Sequence, residues 1–251
     1  MTLHVEQRGS GPNLILLHGW GMNSAIWESV ANRLAERFSL YLVDLPGYGL
    51  SQPAELITFD ETCEQLSRIL PEGIWLGWSM GGLLALQIAL RCPSQVSKLI
   101  TVASTATFVE RKQWPGIKPD VLAFFAQGLT QDYRKTLDRF LAIQTLGSPR
   151  AKADIQQIRH QLQQRPEPAL THLNQGIEWL KTIDLRSGLS SLQVPWLQIF
   201  GALDSLVPKQ AMPAHLQYRN IQQQLIAKAS HAPFISHPRE FVESIENFLF
   251  S

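Results

Sequence analysis

Ser79, Asp204 and His231 are the residues of this chain whose types and positions suit them to work together. A serine hydroxyl is a weak nucleophile at neutral pH and needs a base, usually histidine, held by an acid. Ser79 stands at the apex of Gly77-Trp78-Ser79-Met80-Gly81, after apolar Ile74-Trp75-Leu76 and before an Ala/Leu-rich run. The pattern reads as strand, tight turn and helix, with glycines on both sides because the two backbones approach closely there. Asp204 and His231 follow the predicted strands 196–200 and 221–226. All three residues therefore lie just past a predicted strand end, in the chain order Ser, Asp, His described for such turns. Asp44, in Asp44-Leu45-Pro46-Gly47, is the rival acid, but it precedes the nucleophile and sits in a Gly/Pro loop. His4, His160, His172 and His215 read as structural, on an edge strand or on helices, and His237 falls just beyond the candidate base. An acyl transfer also needs two donors for the developing oxyanion. One is the backbone N–H of Met80, which opens a helix whose dipole favours negative charge. The other is assigned to Trp20 in His18-Gly19-Trp20-Gly21, the loop after an earlier strand.

The elements that must position these residues alternate. Strands are predicted at 2–8 (an edge), 13–17, 40–43, 74–78, 96–103, 196–200 and 221–226. Helices are predicted at 24–38 with Ser24 as N-cap, at 59–70, after Ser79, around 209–216 and at 238–250. Largely apolar strands alternating with helices predict an α/β fold with a mainly parallel sheet covered on both faces. Sites in such sheets form at the carboxyl edge, where His18, Asp44 and Ser79 all fall. Between residues 108 and 184 the pattern is helical without a strand, at 120–127, 131–146, 150–164 and 167–181. Turn signals separate these helices at Gly128, Gly147-Ser148-Pro149 and Arg165-Pro166. Residues 108–184 are thus expected to form a helical lid on a core built from 1–107 and 185–251. The lid carries eleven Lys/Arg against eight Asp/Glu, an excess the rest of the chain lacks.

The 251 residues, 45% apolar and 17% charged, suit one soluble globular unit, and a net charge of +1 gives no reason to expect nucleic acid. Metal-ligand spacings and phosphate-binding glycine loops are missing, so no metal and no cofactor are expected. Cys63 and Cys92 read as free thiols of a reducing compartment. Residues 1–7 show no signal-peptide pattern and no run is long enough to span a membrane, so the expected location is the cytoplasm.

Through His18-Gly19, Asp44-Leu45-Pro46-Gly47, Gly77-Trp78-Ser79-Met80-Gly81, Asp204 and His231 the chain resembles the α/β-hydrolase superfamily. Within it, several stretches resemble the pimeloyl-[acyl-carrier protein] methyl ester carboxylesterases of biotin synthesis. They are His18-Gly19-Trp20-Gly21-Met22-Asn23, Trp114-Pro115-Gly116-Ile117-Lys118-Pro119-Asp120, Arg139-Phe140-Leu141-Ala142-Ile143-Gln144 and Lys228-Ala229-Ser230-His231-Ala232-Pro233-Phe234. The resemblance implies a monomeric serine esterase that releases methanol from a pimeloyl chain carried on acyl carrier protein. It implies Ser79 as nucleophile, His231 as base and Asp204 as orienting acid. It also implies an acyl site formed by Trp20, Ser79, Met80, Phe140, Leu141, Ala142, Ile143, Gln144 and His231, with Trp78 as a further apolar wall. An acidic carrier would dock on basic lid residues, for which Lys135, Arg139, Lys152 and Arg159 are the candidates. The family carries arginines at several such points where this chain has Lys135, Lys152 and Gln156. A generalist short-chain esterase without a carrier partner, a non-catalytic receptor on the same fold and an acyltransferase are the competing readings.

Overall fold

The computed structural model describes residues 3–145, 150–212 and 220–250. Its centre is a seven-stranded sheet in the order β1-β3-β2-β4-β5-β6-β7. The strands are β1 (Val5–Arg8), β2 (Asn13–Leu17), β3 (Ser39–Val43), β4 (Gly73–Trp78), β5 (Val96–Val102), β6 (Trp196–Gly201) and β7 (Ile221–Ile226). Only the edge strand β1 runs antiparallel, against β3. The remaining pairings are parallel. Strands β2 and β4, in the middle, are buried almost throughout, which is why they are continuous apolar runs and not alternating ones.

Helix α1 (Glu28–Ala35) packs with the last helix, α8 (Pro238–Phe250), and α2 (Phe59–Ile69) packs with α3 (Met80–Arg91). These pairs cover the sheet. The helix predicted at 24–38 divides into a 3₁₀ turn, Ser24–Trp27, followed by α1. Its cap is Asn23, whose side chain accepts from the Ala25 N–H, and not Ser24. Ser24 is buried, and its own N–H is drawn to the Asp44 carboxylate at 2.7 Å. Helix α2 starts on a reciprocal cap between Thr58 and Glu61, a Thr-x-x-Glu signal that the apolar periodicity does not show.

Four helices occupy the chain between β5 and β6: α4 (Pro119–Gln131), α5 (Tyr133–Gln144), α6 (Ala151–Leu162) and α7 (Leu170–Thr182). Gly128, expected to end a helix, lies inside α4. A side chain there would meet Thr136 Oγ1 at 2.8 Å, so the glycine permits close approach of α4 and α5. The turn expected at Gly147-Ser148-Pro149, His215 and the end of the helix expected around 209–216 lie outside the described residues. Among the described residues no helix is long and apolar enough to cross a membrane. Cys63 is buried and Cys92 half-buried, both with free thiols.

Candidate active site

Ser79 joins β4 to α3 with φ 54° and ψ −120°, a left-handed conformation that a residue with a side chain adopts only under constraint. The constraint is the close passage of strand and helix. A Cβ on Gly77 would stand 2.2 Å from Gly81 O, and one on Gly81 would stand 2.4 Å from Leu17 O. Both clashes are with backbone, so neither position tolerates a side chain. The turn is further fixed by Ser79 N donating to Val102 O (2.9 Å) and by Ser104 Oγ donating to Ser79 O (2.8 Å).

The hydroxyl thus presented meets an imidazole: His231 Nε2 lies 3.0 Å from Ser79 Oγ. On the other side of the ring, His231 Nδ1 lies 2.8 Å from Asp204 Oδ2. A carboxylate can only accept, so Nδ1 carries the proton and Nε2 is free to receive one from the serine. The second Asp204 oxygen, Oδ1, accepts from the N–H of Leu206 (2.8 Å) and of Val207 (3.0 Å), which fixes the carboxylate plane. Trp78 lies beneath the site, fully buried, with Nε1 donating to His231 O at 2.7 Å. All three catalytic candidates are buried.

Met80 is the first residue of α3, so its N–H has no partner within the helix. Among the described residues, no acceptor takes up the N–H of either Trp20 or Met80. His18, from the same loop as Trp20, is buried and structural. Its Nδ1–H donates to Gly19 O at 2.8 Å, and its Nε2 accepts from Leu45 N at 3.0 Å. Burial drives its pKa down to about 4, overriding the opposing pull of nearby Asp44, so the ring is neutral. Asp44 accepts from the N–H of Ser24 and of Leu50 and pairs with Arg165 at 3.3 Å. It therefore braces the sheet edge.

Ser79 and His231 open into a cavity of about 180 Å³ whose walls are otherwise apolar except for Arg139. Trp20, Phe125 and Phe140 make an aromatic cluster along it, with ring centroids 5.1 to 5.5 Å apart. A hydroxyl within hydrogen-bond reach of an imidazole, at the end of an apolar channel, can attack the carbonyl of an acyl group bearing an alkyl chain.

A model of the alpha/beta hydrolase fold matches residues 12–238. The chain belongs to the α/β-hydrolase family. The pimeloyl-[acyl-carrier protein] methyl ester esterase of Aeromonas hydrophila is 49% identical to the hydrolase, covering 99% of this chain and 100% of that one. The protein of the same name from Shewanella sp. (strain MR-7) is 48% identical over 98% of this chain and 94% of its own. Among solved structures, an esterase from Exiguobacterium antarcticum matches with a TM-score of 0.90 at 26% identity, covering 99% of this chain and 96% of that one.

Of the residues expected to line the acyl site, the hydrolase brings Trp20, Ser79, Phe140, Ile143 and His231 to the cavity wall. Leu141, Ala142, Gln144, Met80 and Trp78 do not line it. Helical phase is the reason for the first two: Phe140 and Ile143 share a face of α5, whereas Ala142 is exposed and Leu141 faces a separate groove between α5 and α6. Gln144 ends α5 and is buried away from that wall, and Met80 and Trp78 are buried within the fold. The docking candidates also part ways. Lys135 and Lys152 are exposed, Arg159 pairs with Asp138 at 2.7 Å, and Arg139 lines the cavity. Cavity residues on the other helices, such as Leu122 and Phe125 of α4 and Ile177 and Leu180 of α7, were absent from the sequence-based site. Their i, i+3 spacing was the signal available, but it marks any buried helix face.

Proposed function

We propose that this hydrolase is a carboxylic ester hydrolase that cleaves pimeloyl-[acyl-carrier protein] methyl ester to pimeloyl-[acyl-carrier protein] and methanol in biotin synthesis. The observation that carries the reading is the Ser79–His231–Asp204 relay opening into an apolar channel suited to a polymethylene chain. The full-length relatives named for this activity support the substrate.

On this reading Ser79 Oγ attacks the methyl ester carbonyl while its proton passes to His231 Nε2. Asp204 holds the ring and offsets the imidazolium charge. The tetrahedral oxyanion takes the N–H groups of Trp20 and Met80. The proton on Nε2 then moves to the departing methoxide, and methanol leaves an acyl-serine. Water, giving a proton to Nε2, attacks that ester; the tetrahedral adduct collapses, Ser79 regains its proton, and the pimeloyl acid is freed. Residues 108–184 act as the lid over this chemistry, and the enzyme works as a cytoplasmic monomer. The acidic carrier docks on the lid's basic side, with Lys135 and Lys152 as the exposed charges and Arg139 at the channel.

The test is turnover of the carrier-bound methyl ester by the wild-type chain and Ser79→Ala, with restoration of growth without biotin in a host lacking this activity. Restoration by wild type alone, with turnover by Ser79→Ala reduced by about 10⁵-fold or more, is the expected result. Turnover of the carrier-bound ester no better than that of a free methyl ester would replace this reading with a generalist esterase.

A further inference from the structure

Helix α7 rests directly on the two residues whose N–H groups serve the oxyanion in the proposed reading. Gly176 is buried in the middle of that helix. A Cβ there would stand 2.6 Å from Trp20 Cδ1, 2.8 Å from the Tyr48 hydroxyl and 3.1 Å from Met80 Sδ. The indole cannot swing away. Its Nε1 donates to Leu173 O of the same helix at 2.8 Å, and Phe125 and Phe140 contact it edge-on. Tyr48 is tied to the same turn, its hydroxyl donating to His172 O at 3.1 Å. Glycine inside a helix costs about 1 kcal/mol relative to alanine. The compensation here is the close seating of α7 on Trp20, Tyr48 and Met80.

We infer that Gly176 is a positioning residue for the oxyanion site: its bare face lets α7 press on Trp20 and Met80 and fix the peptides whose N–H groups bind the transition state. The inference rests on the proposed role of Ser79, Trp20 and Met80. A side chain at Gly176 must displace Trp20 and Tyr48 or lift the helix. Displacing a donor weakens transition-state binding while leaving the rest of the apolar channel to hold a ground-state ligand.

The test compares the full wild-type chain with Gly176→Ala on methyl heptanoate, with a heptyl boronic acid as tetrahedral mimic and 1-heptanol as ground-state ligand. Expected is a fall of about 10- to 100-fold in both kcat/KM and boronate affinity, with heptanol affinity within about threefold of wild type. Unchanged kcat/KM, or an equal loss of heptanol affinity, overturns the inference and leaves Gly176 a packing residue. If Gly176→Ala does not fold, Tyr48→Phe replaces it, since it frees His172 O without adding volume. That variant is expected to lose about 3- to 10-fold in kcat/KM at constant heptanol affinity, and a folded variant without loss overturns the inference equally. A wild-type chain that neither turns over the ester nor is labelled at Ser79 by a fluorophosphonate overturns the catalytic reading itself, and the inference with it.

Discussion

Asp204→Asn tests the relay most sharply, because the structure dictates which way the new amide must face. Asp204 Oδ1 accepts from two backbone N–H groups, those of Leu206 and Val207, while Oδ2 faces His231 Nδ1. In the variant the amide oxygen must keep the two N–H donors. Turning the NH₂ toward them would leave both unpaired, at about 1–3 kcal/mol each. The NH₂ therefore faces His231 Nδ1 and donates to it. The ring answers by moving its proton to Nε2, which then donates toward Ser79 and can no longer receive the serine proton. Loss of the correct tautomer costs about 10⁴-fold in kcat, or roughly 5 kcal/mol of transition-state stabilisation. The fold should hardly respond, because the two backbone bonds survive. The assay is kcat on a methyl ester near pH 7.5, alongside thermal unfolding of the same preparation. A folded variant that loses less than about 100-fold would refute the assignment of Asp204 as the orienting acid. Asp44→Asn is the control, expected to lower stability more than kcat because Asp44 braces Ser24, Leu50 and Arg165.

Three further outcomes follow from the same geometry. His18 is held neutral with a pKa near 4, below its unfolded value of 6.5, so its contribution is present above pH 6.5 and lost as pH falls toward 4. Urea unfolding should show about 2 kcal/mol lost from this group between pH 7.5 and pH 5, a component that His18→Gln should remove. Arg165 links the chain after α6 to Asp44 at 3.3 Å and to Glu6 at 3.0 Å, with Asp44 fully buried. Arg165→Gln should destabilise the fold by about 3 kcal/mol in denaturant titration, and a change below about 0.5 kcal/mol would remove the bridge from the account. Lys135→Glu with Lys152→Glu should lower kcat/KM for a carrier-bound ester by about 10-fold or more at low salt and leave a small methyl ester unaffected. Equal behaviour of the two substrates would remove the basic surface from the docking account.

Local chemistry alone makes much of this fold legible. The turn around Ser79 is readable because its glycines and its apolar strand are local requirements, and a backbone–backbone clash leaves no alternative to glycine at 77 and 81. The central strands β2 and β4 are readable because a strand buried on both faces must be a continuous apolar run, whereas β7, at the sheet edge, is only partly buried and carries three glutamines. The order Ser79, Asp204, His231 past the ends of β4, β6 and β7 follows from the same alternation. Long-range facts were not available there. Chain order already favoured Asp204 over Asp44 as the acid, but what Asp44 does instead depends on Arg165, which arrives from 121 residues away. Which of residues 140–144 reach the channel depends on the rotation of α5 against Trp20. The sequence by itself determined that a serine would be presented with a base and an acid within reach, since those are properties of short segments. Only the tertiary structure decided which walls, charges and helices surround that serine, because these depend on how distant segments pack together.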